Sequence, residues 1–401
     1  MGIIFITYRK HKGYAQDDRW ITVHPNGEEH KGRPVLLDDD GRVKNGMGGV
    51  WNGTKINESR SNFGKPGSPK RTVLQAIKQW LKQWRSQKKQ KDQPLNVENG
   101  EFQQVKETLA KAGITLTEIS GGSRYENTHY WADKNGEWHK EENVNKTYEY
   151  KVDKRCVVDA ANQLSKLSKK FKVINEPLPL EFNIKLFDQE SQFTIGWCNT
   201  PSARPESAES PQIELNTYMH TDRDIKIGLA KKDRYEGFKM PCTDENLRHY
   251  TVTHEFGHLV QYQMFIKRLI DRYSDEIGGL EAVRENIREH GWWTDIRRYI
   301  GKADNDIMEH LNRKERIKYD YSAEVFVATK DKQEIIDIAA KIYQERGGQG
   351  DYHHERDISK YGTSSPYEFF AECFANSQCG KPNILGEAMN RWLKEKGLVR
   401  K

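Results

Sequence analysis

The chain has 401 residues, 35% hydrophobic and 31% charged, and its 65 Lys and Arg stand against 59 Asp and Glu for a formal net charge of +6. That length leads to the expectation of two or three domains, and ten Trp with eighteen Tyr supply anchors that a disordered chain lacks. The interspersed charge falls short of the basic stripe of a nucleic-acid binder, and no 18 apolar residues run together to offer a membrane span.

Five cysteines, Cys156, Cys198, Cys242, Cys373 and Cys379, are odd in number and lack CxxC spacing. Neither a disulfide framework nor a zinc ribbon is expected, and a reducing compartment fits best. The first ten residues carry a brief apolar run without a basic leader or a small-residue cleavage site, so no signal peptide is expected.

Residues 1–60 alternate in short runs, such as 20–24 and 34–37, between Pro-Asn-Gly, Asp-Gly and Asn-Gly turn signals, and predict a small β-rich module. The glycines of 41–53 follow no strand and open no helix, so hairpin turns explain them better than a phosphate cradle. This stretch resembles a glycine-rich module of tailed-phage structural and polyvalent proteins, and that resemblance implies a phage component. After a linker at 61–70, Val73, Leu74, Ile77, Trp80, Leu81 and Trp84 fall at helical spacing. A second helix near 102–111 ends at Gly113, and 114–119 alternate as a strand. Residues 61–150 are therefore expected to be a linker and an α+β accessory region. Its polar segment 121–146 reads as loop and hairpin, with His129 and His139 on the surface rather than on a metal.

From 151 onward the pattern is a helix at 153–171, a strictly alternating strand at 180–186, a further strand at 193–198, a Pro- and Ser-rich loop at 202–210, and Ile213, Glu214, Leu215 and Asn216. Next comes Thr253-His254-Glu255-Phe256-Gly257-His258. Residues four apart on a helix share a face, so His254 and His258 can aim imidazole nitrogens at one ion. Glu255 can then take a proton from a water at that ion. The helix carrying them is expected to start near Thr243 or Asp244 and to run to about Arg272.

A catalytic zinc needs a third protein ligand. Gln261 and Met264 stand where a metzincin has Gly and His. A gluzincin instead requires a Glu on a later helix, backed by an acidic residue one turn on. Downstream, Ser364 or Ser365 can cap a helix with Pro366 in its first turn, placing Glu368 and Glu372 on one face. Here the chain resembles the catalytic domain of anthrax lethal factor and related gluzincins: His254-Glu255-Phe256-Gly257-His258 is joined by Tyr361, seven residues before Glu368, and by Glu368-Phe-Phe-Ala-Glu372. The resemblance implies His254, His258 and Glu368 as zinc ligands and Glu255 as general base. It also implies that Tyr361 steadies the oxyanion or leaving amine, and that Glu372 orients a ligand.

The fold it implies is α+β, a zincin-like domain over 151–401 with a mixed sheet, an edge strand above the HExxH helix, and a C-terminal helix carrying the third ligand. Ile213, Glu214, Leu215 and Asn216 are the candidate edge strand for an extended substrate. A separation of 110 positions between His258 and Glu368 exceeds the family's expectation, and 273–345 reads as a helical insertion. Function is expected to be zinc-dependent peptide-bond hydrolysis on a protein or peptide substrate, in a cytoplasmic or virion-associated setting, with a host-directed toxin or effector as one variant. The alternative is a catalytically silent zinc-binding component of a phage.

Overall fold

The computed structural model describes residues 102–171, 179–200, 210–311 and 322–400, together with the backbone of three strands at 3–10, 19–24 and 33–36. It divides into two compact units, Met1–Pro94 and Leu95–Lys401. In the first unit β1 (Ile3–Lys10) pairs antiparallel with β2 (Arg19–His24) on one side and β3 (Arg33–Leu36) on the other. The turn-punctuated alternation thus forms a β-sheet. The glycine-rich stretch 41–53, the linker 61–70 and the helical pattern 73–84 lie outside the described residues, as does the loop at 201–209.

The second unit is α+β, built on a four-stranded mixed sheet in the order β10, β11, β9, β4. These are β4 (Ile114–Ile119), β9 (Leu180–Lys185), β10 (Gly196–Asn199) and β11 (Gln212–Asn216). β4, β9 and β11 run parallel, and β10 is antiparallel to β11. β4 falls in the segment expected to be a separate accessory region, yet it is hydrogen-bonded to β9 along its length. Its end residues Ile114 and Ile119 are buried in the same core as Phe182 and Ile184 of β9, so apolar burial ties it into the main unit despite its polar middle. Before it, α1 (Gln103–Ala110) buries Val105 and Leu109. Between β4 and the next helix the chain makes two antiparallel ladders, β5 (Gly122–Glu126) with β8 (Lys146–Tyr150) and β6 (His129–Ala132) with β7 (Trp138–Glu141).

A parallel connection needs a crossover, and α2 (Lys154–Lys170) supplies it between β4 and β9. Asp153 caps it by accepting from the Arg155 amide at 2.8 Å, and Val157, Ala160, Ala161, Leu164 and Leu167 bury the predicted apolar stripe. A short helix α3 (Arg223–Tyr235) follows β11, capped by Asp222. The chain then winds a 3-10 turn over Asp244–His249 before the central helix α4 (Tyr250–Arg272), so the regular helix starts six or seven residues later than the capping signals suggested.

Helix α4 is buried on nearly all sides, which places its polar residues inside the protein. Its first half packs Val252, Phe256, Leu259 and Val260 into the main core, and its second half packs Phe265, Ile266, Leu269 and Ile270 against the helices that follow it. The described residues of 273–345 are largely helical, as expected: α5 (Ser274–Ile277), α6 (Gly279–His290), α7 (Ile296–His310) and α8 (Ala323–Glu345), with Trp293 and Tyr299 buried on α4. A bidentate pair from Arg268 to the buried Asp331, at 3.0 and 2.8 Å, pins α8 to α4. The chain closes with α9 (Pro366–Gln378) and α10 (Ile384–Glu395), whose Phe370, Phe374 and Trp392 complete the core.

Candidate metal centre

The centre lies where α4 and α9 cross closely. Gly257 makes this approach possible: a Cβ built there would sit 3.1 Å from both Ala371 Cα and Phe374 Cβ. On α9, Ser365 Oγ accepts from the Glu368 amide at 3.1 Å and Pro366 occupies the first turn, so the capping signals fix the phase of the helix and turn Glu368 toward α4.

His254 and His258 face the same side of α4 with ring centroids 4.9 Å apart. Glu368 Oε2 lies 3.0 Å from His254 Nε2 and 3.4 Å from His258 Nε2. One donor atom from each of the three residues falls within 4.8 Å of the others. Tetrahedral ligands at about 2.0–2.1 Å from zinc are roughly 3.3–3.4 Å apart, so this set fits zinc with a small closing motion. Burial opposes charge on His254, yet hydrogen bonds to Glu368 and Glu372 raise its pKa to about 10. Burial likewise opposes charge on Glu368, and the two imidazoles override it to hold the carboxyl well below the usual range. The donor set favours positive charge at its centre.

Glu372 is buried and orients the ring of His254. Its Oε1 lies 2.9 Å from His254 Nδ1. A carboxylate only accepts, so Nδ1 carries a hydrogen; Nε2 faces the Glu368 carboxylate and would present its lone pair once a cation displaces the hydrogen there. Its Oε2 accepts from Ser359 Oγ at 2.6 Å, Tyr250 Oη at 3.0 Å and the Met240 amide at 3.0 Å. Sequence reasoning missed these three supports. Tyr250 stands four residues before His254 and was findable by helical spacing, whereas Ser359 and Met240 carry no local signal.

Glu255 is 5% exposed and accepts a backbone hydrogen bond from Cys198 of β10. Burial raises its pKa, partly offset by the neighbouring imidazoles. Tyr361 is half exposed, with its ring 5.7 Å from that of His254 and its hydroxyl bonded to Glu368. Burial of the hydroxyl and the adjacent carboxylates push its pKa up, so it stays a hydrogen-bond donor.

The strand assignment needs one correction. Ile213, Glu214, Leu215 and Asn216 do form a strand, but β11 is interior, flanked by β10 and β9, and all four side chains are buried. Glu214 is held by Asn183, Lys185 and Trp197, and Asn216 donates to the carbonyls of Gln192 and Thr194 at 3.0 and 2.9 Å. Their polarity serves internal partners rather than a substrate. The edge beside the cluster is β10, which runs antiparallel to β11 and pairs only with it among the described residues, while β4 is the opposite edge.

β10, α4, α8 and Tyr361 enclose a cleft of about 480 Å³ that contains His254, Glu255, His258 and Glu368. The other flagged histidines lie outside the cluster: His129 bonds Glu126 at 2.7 Å and stacks on Tyr148, and His139 lies beside Asp133. No family model, curated protein or solved structure matches the chain.

Proposed function

We propose that the chain is a zinc-dependent endopeptidase of the gluzincin class, similar to the anthrax lethal factor catalytic domain, with His254, His258 and Glu368 as the ligands. The observation that carries this reading is the convergence of two blocks 110 positions apart into one donor set, with a buried carboxylate and a free strand edge beside it. A zincin-like arrangement is supported by the sheet with its antiparallel edge strand, the HExxH helix beneath it and the later glutamate helix.

Zinc, when bound, supplies a Lewis acid that acidifies a water and polarises the scissile carbonyl. Glu255, desolvated and next to the first ligand, receives the water's proton and passes it to the leaving nitrogen, a role worth roughly 10²–10⁴-fold in rate. Tyr361 donates to the oxygen on which charge develops. The outer edge of β10 accepts an extended substrate as an added strand, which holds the scissile amide along the cleft. Glu372 fixes the tautomer of His254.

The test is cleavage of denatured casein by the purified full chain, with zinc, with a chelator, and in Glu255→Gln. Cleavage that is lost with the chelator and in Glu255→Gln, while the variant still binds zinc, supports the proposal. Full activity in Glu255→Gln, or a zinc-loaded protein that cleaves nothing, contradicts it and favours the silent zinc-binding alternative.

A further inference from the structure

The cleft contains more than the metal donors and the base. Among the described residues three carboxylates line it, Glu255, Glu324 and Glu368, and no Lys or Arg does. Glu255 and Glu368 have roles above. Glu324, in the first turn of α8, has none, and no hydrogen bond or ion pair reaches its carboxyl from the described residues. Its position is firmly held: Ser322 caps the helix, Asp304 accepts from the Ala323 amide at 2.6 Å, and the Arg268–Asp331 pair anchors the next turns.

A second and independent observation lies in the same cleft. Gln261 stands three residues beyond His258 on α4, lines the same cleft, and is 5% exposed. Neither its Nε2 nor its Oε1 finds a partner among the described residues. A buried amide left without partners costs about 1–3 kcal/mol and is rarely tolerated without a function. Tyr262, Phe265 and Tyr367 line the same cleft and supply aromatic walls.

We infer that Gln261 and Glu324 form a specificity subsite for an arginine side chain of the substrate, next to the scissile bond. A guanidinium offers five donors in a planar fork, matching a carboxylate and an amide oxygen together, and its faces stack on aromatic rings. The Gln261 amide nitrogen is then free to donate to a substrate carbonyl. Lysine satisfies Glu324 but neither the fork nor the stacking, and ranks second. Burial and the nearby Asp304 raise the Glu324 carboxyl to about 7, so an arriving cation gains by restoring its charge. The inference rests on the peptidase reading and adds to it the side chain that the cleft selects.

The experiment maps cleavage sites made by the zinc-loaded full chain in a mixed peptide library, then measures kcat/KM for peptide pairs differing only in Arg, Lys, Leu or Glu at the selected position. The expected result is arginine enriched at one fixed position, with a preference over leucine of roughly 10–100-fold, the range of a charge-assisted hydrogen bond. Glu324→Gln brings that ratio close to one, Glu324→Lys turns the preference toward glutamate, and Gln261→Met lowers the ratio of arginine to lysine. Cleavage with no arginine enrichment overturns the subsite and leaves the peptidase standing. A zinc-loaded protein that cleaves no library peptide overturns both.

Discussion

Replacing Glu372 by Gln changes one atom and the charge, and its consequence follows from the four hydrogen bonds that the carboxylate receives. Oε1 meets His254 Nδ1 at 2.9 Å, while Oε2 meets Ser359, Tyr250 and the Met240 amide. Glutamine has one acceptor oxygen and a nitrogen that can only donate. With the nitrogen at the Oε2 position it faces three donors, each unpaired donor costing about 1–3 kcal/mol. With the nitrogen at the Oε1 position only one contact suffers, and His254 restores it by moving its hydrogen to Nε2. The second arrangement wins. The fold survives, but the first ligand now presents N–H to the ion. Loss of such a support lowers metal affinity by about 10–100-fold, or roughly 1.4–2.7 kcal/mol. Competition titration of the metal-free protein against a chromophoric zinc chelator measures this, with urea denaturation in excess chelator as the control for folding. Unchanged zinc affinity in a folded Glu372→Gln protein would refute the tautomer argument.

Gly257→Val places a branched side chain where even a single Cβ is 3.1 Å from Ala371 and Phe374. It is expected to cost roughly 3 kcal/mol in urea denaturation and to weaken zinc binding, because the helices that share the ligands are forced apart. Tyr361→Phe removes one donor from the site and is expected to lower kcat about 100-fold with little change in zinc affinity; parallel loss of both would mark the tyrosine as structural. Burial and Asp304 push the Glu324 carboxyl up from 4.5 to about 7, with Cys198, Tyr262 and Tyr367 as further titratable neighbours among the described residues. The folded state therefore holds this proton more tightly than the unfolded state does. The associated stability is complete below about pH 4.5 and is lost as pH rises through 7, with a slope of up to about 1.4 kcal/mol per pH unit. Glu324→Gln should thus gain stability relative to the parent between pH 4.5 and 7.5, and parallel stability profiles for the two proteins would contradict it.

The clustering of His254, His258 and Glu368 was legible because its signals are local. The spacing of His254 and His258 is one helical turn, and Ser365 with Pro366 fixes the phase of α9 and hence the direction of Glu368. The helices at 153–171 and within 273–345 were legible for the same reason of period. Strand order was not: the alternation of Ile213 and Leu215 shows that β11 has apolar positions, but nothing in it says that the short β10 folds outside it. Nor does the polar centre of β4 reveal that its two end isoleucines enter the main core. The supports of Glu372 come from three separate segments, and Glu324 reaches the cleft only because α8 docks on α4 through Arg268 and Asp331. Such placements arise from tertiary packing, on which local pattern is silent.

The most direct test of the account is zinc K-edge absorption on the zinc-loaded full chain. The expected spectrum has two imidazole nitrogens and carboxylate oxygen at about 2.0–2.2 Å, with the imidazole signature halved in His258→Ala. A spectrum dominated by sulfur near 2.3 Å, or one that His258→Ala leaves unchanged, would place the metal elsewhere and contradict the centre built on His254, His258 and Glu368.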